Sequence, residues 1–171
     1  MTASIRRATA SDEASARAIV AEYNDAVGVV VRDDAAAFSV YLNGPGALWL
    51  AQIEDEIAGC VVMRPLGSAA SHSCEVKRLY VRPAHRGFGI AVALMDALET
   101  FAFGQGYHFV YLDTFDDLGD AVRFYERRGY ERIARYNDNP QATIFMRRDL
   151  HAATRTAPRR GRRRRTPPPA P

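Results

Sequence analysis

Residues 79–94 read LYVRPAHRGFGIAVAL. A β-branched and aromatic run stops at Pro83, a basic, glycine-spaced turn follows, and then a run of small and aliphatic residues begins. That is the order of a strand, a turn and a helix. The first N–H groups of a helix have no internal partner and carry the positive end of its dipole, so such a turn is a ready anion site. Gly87 and Gly89 remove side chains, which lets backbone amides approach an anion closely, and Arg86 adds positive charge. Pro83 stiffens the entry. Together these features suit a phosphate or pyrophosphate, and the alternative is a turn that glycine merely eases. Two other phosphate motifs are excluded. There is no G-x-x-x-x-G-K-[ST], and Val92 stands where the third glycine of G-x-G-x-x-G belongs.

Working outward, the chain predicts a strand at 4–8 and a helix that starts at Ser11-Asp12-Glu13 and runs to Val27, with Ala16, Ile19, Val20 and Tyr23 at helical spacing. Asp33-Asp34 opens a second, shorter helix that stops at Asn43-Gly44-Pro45-Gly46. Apolar runs at 47–53 and 57–63 around Glu54-Asp55-Glu56 predict an antiparallel hairpin. A strand follows at 75–81, and then a helix from Gly89 to about Phe103 with Ile90, Leu94, Ala97, Leu98 and Phe101 on one face. Next come a strand at 107–113 and a helix at 120–128 with Ala121, Phe124 and Tyr125 inward, where Gly129 suits the left-handed position after a helix. Strands at 131–136 and 142–149 close the pattern, joined by NDNPQ.

Composition sets limits on function. The net charge of +3 belongs to the C-terminus: the last 21 residues hold seven arginines and no acid, so removing that seven leaves residues 1–150 at about −4. A nucleic-acid-binding domain therefore does not follow from the charge, and only nonspecific contact through the tail is expected. From His151 the chain reads HAATRTAPRRGRRRRTPPPAP, which lacks the apolar residues of a core and is expected to be a disordered basic tail over 151–171. Cys60 and Cys74 read as small buried thiols, and no His/Cys cluster has metal-ligand spacing, so no metal is expected. The start lacks a secretory h-region and no apolar run approaches a membrane span, which predicts a soluble cytoplasmic protein without a membrane partner.

Arg86-x-x-Gly89-x-Ala91 after LYV resembles the R/Q-x-x-G-x-G/A motif of the GNAT acetyltransferases, and the element order is that family's order. Downstream, AVRFYERRGY at 121–130 resembles the family's A-x-x-L-Y-x-x-x-G-F. EVKRLYV at 75–81 and YNDNP at 136–140 look closer still to one bacterial branch. The resemblance covers about residues 4–150 and implies an acetyltransferase domain over 1–150. It implies an α/β (α+β) fold: a central, mixed, mostly antiparallel, twisted sheet of about 6–7 strands flanked by about 4 helices.

The resemblance also implies acetyl-CoA as co-substrate and, as acceptor, a primary amine of a small molecule or peptide attacking directly in a ternary complex. A silent acyl-CoA-binding module, a sensor or scaffold, is the alternative. The family's pyrophosphate grip falls on Arg86, Gly87, Phe88, Gly89, Ile90 and Ala91, and the pantetheine arm pairs with backbone of Leu79, Tyr80 and Val81. Tyr125 is the candidate general acid for the departing sulfur, with a packing tyrosine as the alternative. Glu75, six residues before Val81, is placed like the base of the histone-acetylating branch, with a structural carboxylate paired to Lys77 or Arg78 as the alternative. Asn137, Asp138 and Asn139 are candidates for the acceptor site, or else an Asx-rich hairpin turn. One departure stands out: Leu118 occupies the position where many members carry Asn. Family members commonly form homodimers, and no residue here decides that.

Overall fold

The computed structural model describes residues 2–68, 71–115 and 119–152. The turn expected at 116–118, with Leu118, and the basic tail from 153 onward lie outside the described residues. In chain order the elements are β1 (Ser4–Arg7), α1 (Glu13–Val27), α2 (Ala35–Asn43), β2 (Ala47–Ile53), β3 (Glu56–Pro65), β4 (Ser73–Val81), α3 (Ile90–Gly104), β5 (Phe109–Thr114), α4 (Gly119–Arg127), β6 (Glu131–Ile133) and β7 (Ile144–Asp149).

Local chemistry sets the helix ends. Thr9 N–H donates to Asp12 Oδ2 at 2.8 Å ahead of α1, and Arg6 grips the same carboxylate with two bonds. Gly28 closes α1 in the left-handed region. Asp34 caps α2 by accepting from Ala37 N–H at 2.9 Å. Gly129, after α4, has φ +84° as expected. No helix of the described residues is long and apolar enough to cross a membrane.

The strands form one seven-stranded mixed sheet in the order β1-β2-β3-β4-β5-β7-β6, antiparallel except for the β4–β5 pair. Both faces are covered, so the central strands are apolar on both sides rather than alternating with polar residues. In β2, Trp49, Ala51 and Ile53 face a core shared with Leu94, Met95 and Leu98 of α3, while Leu48 and Leu50 face Ile19 and Val20 of α1 and Phe38 of α2. Cys60 and Cys74 are free and buried.

Three details depart from the sequence reading. In α4 the fully inward residues are Val122 and Tyr125, whereas Ala121 and Phe124 are half-buried, Phe124 lying edge-on to Tyr125 and beneath the Arg128 guanidinium. The strand expected at 131–136 stops at Ile133. Its former end leaves the sheet because Tyr136 and Asn137 turn to buried carboxylates. Finally, β4 is not regular. Cys60 faces Tyr80 and Val62 faces Lys77, so β4 carries one residue more than β3 there, and Arg78 takes φ +57°. This β-bulge switches parity along the strand: Cys74 and Val76, then Leu79 and Val81, face the α3 side, while Tyr80 faces the α1 side. The bulge also dictates Gly59, because a Cβ at that position would lie 2.4 Å from Tyr80 O.

Candidate active site

Beyond its first three residues, β4 loses its parallel partner. Ser73, Cys74 and Glu75 pair with Phe109, Val110 and Tyr111, after which β5 stays with β7 through Thr114 and β4 stays with β3. The sheet splits between them, and among the described residues the β4 edge from Val76 onward has no neighbouring strand on that side. A cleft of about 520 Å³ opens in the split. Its walls include Leu79 of β4, Asp113 of β5 and Tyr125 of α4, together with Asn137, Asp138 and Asn139 from the segment before β7.

At the far end of β4, a short 3-10 turn at Pro83–His85 leads to the glycine pair. Gly87 and Gly89 have φ +85° and +77°, the left-handed region that glycine enters without strain, and open space surrounds both. Ala93 N–H donates to Gly89 O at 3.0 Å, so the amides ahead of Ala93 have no acceptor within α3. Arg86 Nε donates to Val81 O at 3.0 Å, which ties the turn to the end of the strand. An unpartnered strand edge followed by a helix start rich in free amides fits the pantetheine and pyrophosphate of a CoA thioester. The turn at 86–91 does not border the cleft; the open edge of β4 connects the two.

Tyr125 is 8% exposed and meets the cleft, with its ring edge-on to Phe124 and Tyr130. Burial pushes its hydroxyl pKa up, and the nearby Tyr23 and Asp113 add to the shift. The phenol therefore keeps its proton throughout the neutral range. Tyr80 turns away and packs against Tyr23, so only its backbone can serve the open edge.

Glu75 has no exposed surface and does not reach the cleft wall. Oε1 takes bonds from Tyr136 Oη (2.7 Å) and Asn137 Nδ2 (3.1 Å) and an ion pair with Lys77 Nζ (3.0 Å), while Oε2 takes Arg64 Nε (2.7 Å). Its partners are thus Lys77 and Arg64. Arg78, redirected by the bulge, pairs instead with Asp33 at 2.7 Å. With four donors on it, the carboxylate has little acceptor capacity left.

Unlike Glu75, Asp113 lines the cleft, and the sequence reading missed it. Lys77 Nζ (2.8 Å) and Asn137 Nδ2 (2.6 Å) bond to its Oδ2, and both groups also contact Glu75. Burial pushes the Asp113 pKa up, but Lys77 and the Asn137 and Asn139 amides outweigh it, leaving the group below its ordinary range. The signal in the sequence was faint: a lone Asp closing an apolar strand, and a Lys inside one. The Tyr-Asn-Asp-Asn run is more than a turn, since Tyr136, Asn137 and Asn139 all contact this carboxylate pair.

Residues 13–130 match the acetyltransferase (GNAT) family model, which is more than half of the chain. An uncharacterized N-acetyltransferase of Schizosaccharomyces pombe is 36% identical over 122 residues, covering 69% of this chain and 74% of that protein. The match to other curated relatives is shorter, spanning 58%, 43% and 44% of their length. Among solved structures, a GNAT-family acetyltransferase of Staphylococcus aureus Mu50 superposes with a TM-score of 0.75 at 20% identity, over 87% of this chain and 99% of the other. The yncA protein of Salmonella typhimurium, solved with its cofactor acetyl-CoA, superposes with a TM-score of 0.68 at 20% identity, over 88% of this chain and 95% of the other.

Proposed function

Because the chain belongs to the GNAT family of acetyltransferases and is an acyltransferase, we propose that it moves an acetyl group from acetyl-CoA to a primary amine of a small molecule or peptide. The observation that carries this reading is the split between β4 and β5, which leaves an open strand edge between a glycine turn and a cleft that holds Tyr125. When bound, acetyl-CoA supplies the thioester that the amine attacks, with CoA as the leaving group.

The chain's own residues would do the rest. Backbone groups of Leu79, Tyr80 and Val81 pair with the pantetheine arm and hold it straight, and proximity then supplies much of the rate. Amides at Gly87–Ala91, with Arg86 beside them, hold the pyrophosphate. Tyr125 gives its proton to the departing sulfur. The proton leaving the amine goes to Asp113 at the cleft wall, while Glu75 behind it positions Lys77 and Asn137. Asn137, Asp138 and Asn139 border the acceptor, with Asp138 presenting its charge to the amine. The two free cysteines suit a reducing compartment, the cytoplasm.

The test is release of CoA thiol from acetyl-CoA with a panel of amines, amino acids and peptides, alongside calorimetry with acetyl-CoA. Binding and turnover with one amine class are expected. Binding without turnover across the panel would favour a silent acyl-CoA module, and no binding at all would overturn both readings.

A further inference from the structure

Arg64 stands on β3 directly opposite Glu75 in the ladder and lines the cleft. Its Nε is committed to Glu75 at 2.7 Å, which fixes the plane of the guanidinium. Its side chain is nevertheless 46% exposed, and among the described residues its two terminal nitrogens meet no acceptor. The other cations of the cleft are occupied. Lys77 bridges Glu75 and Asp113, Arg78 holds Asp33 and Val31 O, and Arg32 pairs with Asp25.

The carboxylates divide the same way. Asp33 and Asp113 are paired, and Asp34 caps α2. Asp138 faces the cleft with no ion-pair partner among the described residues. Arg64 is paired with Glu75 through Nε alone, so among the described residues the groups with polar capacity left are its terminal edge and the Asp138 carboxylate, in a cleft whose walls carry four cations against four carboxylates. A polyamine would leave Arg64 facing like charge, and a dianionic phosphate would lie against Glu75 as well. A single planar carboxylate fits the free terminal edge of Arg64, which can give it two parallel bonds.

We propose that Arg64 binds a carboxylate of the acceptor, so that the acceptor is an amino-acid-like zwitterion carrying one free carboxylate and the amine that receives the acetyl group. This rests on the acetyl-transfer reading above. In the balanced step the amine nitrogen forms the new amide bond as the thioester C–S bond breaks. One proton leaves the nitrogen, and one reaches the sulfur.

The experiment compares matched pairs: free α- and ω-amino acids against their carboxamides, as acceptors in the CoA-release assay. Wild type should prefer the acids by roughly 10-fold or more in kcat/KM, the scale of hydrogen bonds to a charged group. Arg64→Gln should bring that ratio close to one while acetyl-CoA affinity by calorimetry stays within about threefold. Because Arg64 also contacts Glu75, Arg64→Lys is the second variant: it keeps a charge beside Glu75, loses the paired donors and should show an intermediate ratio. Carboxamides acetylated as well as acids in wild type, or an unchanged ratio in Arg64→Gln, would overturn this proposal alone. No turnover of either kind with acetyl-CoA bound would overturn the transfer reading and this proposal with it.

Discussion

Tyr125 and Asp113 face each other's surroundings in one cleft, yet only Tyr125 was legible in the chain. A tyrosine inside AVRFYERRGY has a pattern around it, and an aspartate at the end of FVYLD has none. Its hydrogen bonds come from Lys77, Asn137 and Asn139, which arrive from two other segments. Tyr125→Phe should lower kcat about 100-fold, the lower range for general acid catalysis, and leave acetyl-CoA affinity and Tm nearly unchanged. Because burial raises the Tyr125 pKa above its ordinary value near 10, kcat in wild type should show no loss from its ionisation below about pH 10, which a pH–rate profile checks. Glu75→Ala would leave Lys77 and Arg64 without their shared carboxylate. A loss of about 3–5 kcal/mol is expected, read by chemical denaturation, because breaking a buried pair leaves charge uncompensated.

Among the elements, β4 has the most consequence. EVKRLYV reads as a plain strand, and its ends are close to those expected from the sequence. The bulge at Arg78 was not legible, because a bulge depends on the register against β3 and not on β4 alone. Gly59→Ala tests it from the opposite strand: the added Cβ meets backbone at Tyr80 O, so a cost of about 1–3 kcal/mol and a Tm lower by several degrees are expected. The loop after α1 is a second case. Gln141 accepts from Val30 N–H at 2.9 Å and donates to Gly28 O at 3.0 Å, tying that loop to the segment before β7 across the cleft. Gln141→Ala should speed amide hydrogen exchange at 28–34 and raise KM for the acceptor but not for acetyl-CoA.

For the whole molecule, opposite pKa shifts bound the stability. Arg6 holds Asp12 well below its ordinary range, Arg82 lowers Glu22, and Asp113 is lowered in balance. These groups contribute stability above about pH 4, the unfolded carboxylate range, and that contribution is lost as pH falls through their folded values. Burial raises Tyr41, Tyr125, Tyr130 and Tyr136, whose contribution is intact below about pH 10 and is lost as pH rises through their folded values. Tm should therefore hold a plateau between those limits and fall on both sides, as calorimetry across pH would show. The linear chain by itself determined the element order, the glycine turn after β4, Ile90, Leu94 and Leu98 of the inward face of α3 (Met95 and Ala102 are buried where Ala97 and Phe101 were expected) and the tyrosine of α4, because each rests on periodicity or on a motif contained in one segment. Only the tertiary structure decided where β4 leaves β5, that Asp113 lines the cleft while Glu75 does not, and that among the described residues the two terminal nitrogens of Arg64 meet no acceptor. Those facts depend on pairing between residues far apart in the chain, and side-chain chemistry in one segment does not encode the partner that another will bring.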